Sequence, residues 1–69
     1  MAWNVLALEK FKGKIVHIVC TKFDEESQQS SEYLEVGKLI DVNEDTQTIT
    51  IKSKNKTKQI FGDIILDAW

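Results

Sequence analysis

The chain has 69 residues, nine basic and eleven acidic side chains, a formal net charge of −2, 42% hydrophobic residues, one cysteine and no proline. That length predicts one domain over 1–69, near the lower limit at which an unstapled chain buries a sufficient core, and the composition is that of a folding chain rather than a disordered one. The acidic balance excludes nucleic-acid binding over the whole surface by counterion release. Lone Cys20 excludes an internal disulfide or a thiolate pair for zinc, and no run has the roughly 18 apolar residues of a membrane span.

MAWNVLALEKF, at 1–11, spaces Trp3, Val5, Leu6 and Leu8 close to a helical period, which predicts a short helix stopped at Gly13. KIVHIVCT then concentrates Ile15, Val16, Ile18 and Val19, and β-branched side chains stiff at χ1 favour a buried strand. KFDEESQQSS, at 22–31, has no apolar period and reads as a mobile loop. EYLEVGKLIDV follows as a second strand, with Leu34, Val36, Ile40 and Val42 on one face and Tyr33 and Leu39 on the other. Gly37 sits in its middle, where glycine weakens a strand unless the chain bends or another backbone comes close; bending is the simpler account.

A turn at NED, 43–45, leads to TQTITIKS, which alternates Thr48 and Thr50 with Ile49 and Ile51. KNK makes the next turn, TKQIF a fourth strand, and DIILDAW a fifth after Gly62. The expected fold is mostly β: a short helix, then a five-stranded, strongly bent antiparallel barrel. KSKNKTK brings Lys52, Lys54, Lys56 and Lys58 together with Lys38 elsewhere in the chain, while acids collect in DEES and DVNED. This is either a solvated hairpin tip or a local nucleic-acid contact.

A short helix, a bent strand carrying VGKLIDVNED, another strand, a basic turn and a final QIFGDIILDAW resemble the Sm and Sm-like (LSm) family over residues 4–69. Gly37 and Leu39 match the glycine and leucine of that family's first motif, and IFG at 60–62 stands where its second motif falls. The resemblance specifies the barrel as Sm-like (SH3-like) and implies an RNA pocket at Asp45, Gln47, Phe61 and Gly62, with Glu44 as an alternative to Asp45. It is degenerate: Thr46 or Asp45 offers no ring to stack on a base, and Phe61 replaces the cation. Phe61 either stacks on a base itself or is buried between strands or subunits.

The family also pairs subunits by their edges, the fourth strand of one adding to the fifth of the next. An unpaired edge is a template for such addition. The expected protein interface is Lys58, Ile60, Phe61, Ile64, Leu66 and Trp69, because the apolar last strand has more side chains than its own core takes. The alternative for Trp69 is that it folds back over the core. Pairing without a pocket is similar to the Gemin subunits of the survival-of-motor-neuron complex, Sm-fold proteins that help assemble spliceosomal small nuclear ribonucleoproteins.

Catalysis is not expected. His17 lies in an apolar strand, Cys20 points to the opposite face from it, and Asp24, Glu25 and Glu26 fall in the loop. No phosphate loop or metal-ligand spacing exists, so no cofactor, metal or small-molecule substrate is expected. The first reading is a non-catalytic adaptor that pairs with another Sm-like subunit in ribonucleoprotein assembly or RNA processing, with RNA contacted weakly or indirectly. The second is a homo-oligomeric ring binding RNA through KSKNKTK and Phe61, and the third a small regulator occluding another protein's nucleic-acid site through the acidic DEES. No membrane partner is expected, the amino terminus lacks a signal-peptide layout, and the expected location is intracellular, cytoplasmic or nuclear.

Overall fold

Asn4 is extended, and its side-chain oxygen accepts from the N–H of Leu6 at 3.0 Å, which opens a helix at Val5. In the computed structural model, which describes residues 4–69, this is a 3₁₀ helix, Val5–Phe11; Trp3, read as part of its apolar face, lies outside the described residues. Residues three apart eclipse in a 3₁₀ helix, and Val5 and Leu8 are accordingly its two buried side chains. The helix ends before the glycine predicted to stop it, where Lys12 donates to the carbonyl of Glu9. Gly13 then takes φ +88°, which glycine enters without cost. Its N–H donates to Leu39 at 2.7 Å, and Lys14 accepts from Leu39 at 2.9 Å, so the turn is bonded onto the second strand.

Five strands follow: β1 Ile15–Asp24, β2 Gln29–Asn43, β3 Thr48–Ser53, β4 Lys56–Phe61 and β5 Ile65–Ala68. They form one antiparallel sheet in the order β4-β3-β2-β1-β5. The 15 residues of β2, laid straight, would run roughly 46 Å at about 3.3 Å each. That exceeds the 37 Å long axis of the molecule, and the ladder with β3 slips between Leu39 and Asp41, an irregularity that bends β2.

The predicted barrel does not close. Closure needs a ladder between β4 and β5, but the 3₁₀ turn Gly62–Ile64 carries the chain from β4 across the end of the core to β1, and β5 pairs there. Asp63 and Ile64, read as strand, belong to that turn. The predicted loop at 22–31 is also mostly strand: β1 and β2 pair as far as Asp24 with Gln29, leaving a turn at 25–28. Asp24 caps the N–H of Glu26 at 3.0 Å, and the Gln28 amide donates to the Glu25 carbonyl at 2.7 Å. Both faces of the ribbon are wet there, so its residues carry no apolar alternation to read.

Val16, Ile18 and Cys20 of β1, Leu39 of β2, Ile49 and Ile51 of β3, Ile60 of β4 and Ile65 of β5 form the core with Val5 and Leu8. On β2 the more apolar face points outward, leaving Leu34, Val36 and Ile40 exposed. Val42 does not share their face as expected: the ladder to β3 slips at Ile40, between Leu39 and Asp41, and this bulge turns Val42 inward opposite Ile49. Gly37 is required by a close approach. A Cβ there would lie 2.9 Å from the Lys52 carbonyl oxygen on β3.

Candidate interaction site

Toward the tips of the two hairpins the inward-facing positions change from apolar to polar. On β1 Cys20 is succeeded by Lys22, on β2 Leu39 gives way through Gly37 to Glu35 and Tyr33, and on β4 Ile60 gives way to Lys58 and Lys56. The bend of the sheet lets the Lys58 ammonium reach over β3 to Glu35, 2.8 Å from its carboxylate, and lie 5.7 Å from the centre of the Tyr33 ring. The Lys58 side chain is 54% exposed, so the pair contributes at most about 1 kcal/mol. Its main effect is positional, holding one lysine across an open mouth.

The hydrogen bond to Glu35 raises the pKa of Lys58 above its ordinary 10.5. Burial raises the Cys20 thiol above 9.0, partly offset by a hydrogen bond with Tyr33. Burial likewise raises the Tyr33 phenol above 10.0, reinforced by the neighbouring Cys20. Cys20 and Tyr33 face each other across the β1–β2 ladder as two neutral groups at the floor of the mouth.

Two open grooves flank the Lys58–Glu35 bridge and share both residues. One, of about 560 Å³, runs along β4 beneath Lys54, Lys56 and Lys58 with Ile51 at its base. The other, of about 690 Å³, lies toward β1, between Lys22, Tyr33 and Ile64. Together the linings carry Lys22, Lys54, Lys56 and Lys58 against the single carboxylate of Glu35. On a chain of net charge −2 this is a local concentration of positive charge.

The expected RNA-pocket residues lie at the other end of the sheet. Gln47, Phe61 and Gly62 are brought together there: Gln47 accepts from the Gly62 N–H at 2.8 Å, and Phe61 stands opposite Thr48. Asp45 is exposed in the same turn. The Gln47 amide is already engaged, accepting from the N–H of Val5 at 3.3 Å and donating to the Glu44 carbonyl at 2.8 Å. Gln47 therefore ties the β2–β3 turn to the helix and to the end of β4. Phe61 is 58% exposed and so is not buried between strands of its own sheet.

The expected interface residues fall on two opposite edges. Lys58, Ile60 and Phe61 lie on β4, but the Ile60 side chain is in the core and offers the edge only its backbone. Leu66 and Trp69 are exposed beside β1, while Ile64 is half-buried against the core. Trp69 does not fold back over the core. It exchanges two backbone hydrogen bonds with His17 and lies flat against the His17 ring on the outer face. Sequence reasoning missed this stack and the Glu35–Lys58–Tyr33 bridge, though the alternation of Lys56, Lys58 and Ile60 was a signal that the lysines share the core-facing side of β4.

No family model matches the chain, and comparison with curated proteins and with solved structures yields no match. Among the described residues no helix is long and apolar enough to cross a membrane.

Proposed function

We propose that the protein is a non-catalytic interaction module that binds protein partners by adding their strands to its sheet edges. The observation that carries this reading is the pair of edges, β4 and β5, that are unpaired among the described residues and bordered by large exposed side chains: Phe61 on one, Leu66 and Trp69 on the other. A free edge presents a row of backbone donors and acceptors ready to pair, and aromatic residues beside it supply contact area. The finer reading is an Sm-like adaptor working with another Sm-like subunit in ribonucleoprotein assembly or RNA processing. It rests on the resemblance of the two motifs, and the short helix, the bent second strand and the edge positions of the last two strands accord with it. Engagement of the Gln47 amide within the fold supports an adaptor over a ring that reads RNA with this pocket.

The test is the native mass of the tagged protein isolated from its own cell. A stoichiometric protein partner is expected with the wild type and is lost from Leu66→Lys or Phe61→Glu while the circular dichroism of each variant is unchanged. Retention of the same partner by both variants overturns the reading, and a ring-sized homo-oligomer carrying RNA replaces it.

A further inference from the structure

We propose that the β4 edge is the receiving site for an extended acidic segment of a partner protein, with carboxylates at alternate positions and an apolar residue beyond them. This rests on the edge-pairing reading and names the chemistry of the partner on one edge. Lys56, Lys58 and Ile60 occupy alternate positions of β4 on its inward side, so they recur about every 6.6 Å. A strand added alongside has side chains at the same interval. Lys54 continues the positive row into the turn and lines the same groove.

Two features coincide on this edge. Among the described residues β4 pairs only with β3, so its other side has unpaired backbone groups. In strand addition the main chain provides affinity and alternate side chains provide specificity, and opposite charges placed across a ladder stabilise it. Among the described residues the one ion pair is Lys58–Glu35, which leaves Lys54 and Lys56 without a carboxylate. A lysine ammonium has three donors, so Lys58 accepts a second carboxylate while Glu35 holds it in place. Ile60 ends the row in the core and offers the edge only its backbone, so the charged row stops there and the incoming residue opposite it, at the rim of the core, is best uncharged and apolar. The complementary pattern is acid, spacer, acid, spacer, apolar, or its reverse when the strand enters in the other direction.

The observations favour such a peptide over a nucleic acid. Outside the groove the chain is net acidic and repels a polyanion, and Tyr33, the ring beside the lysines, already has the Lys58 ammonium next to it. A second copy does not supply the segment, because none of the chain's own strands has acids at alternate positions.

The test uses fluorescein-labelled peptides Thr-Glu-Thr-Glu-Thr-Val-Thr and its reverse, the same pair with Gln for Glu, and a single-stranded oligouridine, each titrated into the full chain while backbone amide resonances are followed. The better Glu peptide is expected to shift the amides of 56–61 and to bind about tenfold tighter than its Gln counterpart, the effect of two favourable cross-strand charge pairs. Lys56→Glu, at an exposed site, is expected to remove that preference while the amide spectrum of the free protein outside 54–58 stays that of the wild type. Equal binding of Glu and Gln peptides at β4 overturns the acidic preference while edge addition stands. Binding of neither peptide overturns the inference and leaves the edge reading to be decided by the partner recovered from the cell. Oligouridine binding in place of the peptide overturns it in favour of a nucleic-acid groove.

Discussion

His17 and Trp69 hold one another by three contacts: N–H to carbonyl at 2.7 Å, the reciprocal bond at 2.9 Å, and rings stacked 5.4 Å apart within 4° of parallel. β5 has only four residues, and its ladder with β1 slips between Val19 and Cys20, so the stack secures the end of a short, irregular edge strand. Trp69→Ala is expected to cost about 1 kcal/mol, the order of an aromatic pair beyond its area, and to speed amide exchange at 65–68 with little effect on β3 and β4. Protection at β5 identical to the wild type would show that the ring is dispensable.

Gly37→Ala and Gly13→Ala separate two uses of glycine. An added Cβ at Gly37 meets the Lys52 carbonyl at 2.9 Å, whereas at Gly13 it meets nothing within 4 Å but keeps φ at +88°. Overpacking β2 against β3 is expected to cost about 1–3 kcal/mol, and the left-handed backbone at Gly13 about 1 kcal/mol. Denaturant unfolding of both variants checks the order. A Gly37→Ala variant as stable as the wild type contradicts the close approach.

At Gln47 the backbone has φ +55° while the side chain bonds Val5 and Glu44. Gln47→Gly relieves the backbone but loses both bonds, and Gln47→Ala loses the bonds with no relief. Each lost hydrogen bond is worth about 1 kcal/mol. Alanine is therefore expected to be the less stable of the two, and exchange at the Val5 amide is expected to accelerate in both. An unchanged Val5 amide would detach Gln47 from the helix.

Stability is expected to fall on the alkaline side in overlapping steps. Cys20, Tyr33 and Lys58 all have folded pKa values raised above 9.0, 10.0 and 10.5. A group whose folded pKa is raised contributes fully below its unfolded value and loses that contribution as pH climbs through the folded one. The decline therefore begins near pH 9 as the unfolded thiol ionises while the buried one resists. Cys20→Ala, measured by urea unfolding from pH 7 to 11, is expected to be less stable at neutral pH through the lost packing but to lose less stability between pH 9 and 10. An identical alkaline slope in the two proteins assigns the decline to other groups.

The β-branched runs of β1 and β3 were legible because stiff side chains at Ile15 to Val19 and Ile49 to Ile51 leave few alternatives to an extended chain. The facing of β2 was harder to read, since Leu34, Val36 and Ile40 point outward while Gly37 and Glu35 point inward, and the bulge at Ile40 reverses the alternation for Val42. Non-closure depends on where the chain goes after Phe61, which no local pattern encodes. At the site, Lys58 was legible as an edge residue, but its bridge to Glu35 spans 23 positions and depends on the curvature of β2.

Lys38 is paired with Ile15 on one side and Lys52 on the other, and it is the one residue of β2 found in both ladders. The sheet is therefore two ribbons that overlap at a single rung, each with one of the outer edges. Strain introduced at β4 has that narrow waist as its ladder route to β5. Occupancy of the two edges is accordingly expected to be nearly additive, with a coupling free energy close to zero, so the protein can join two strands without either one sensing the other.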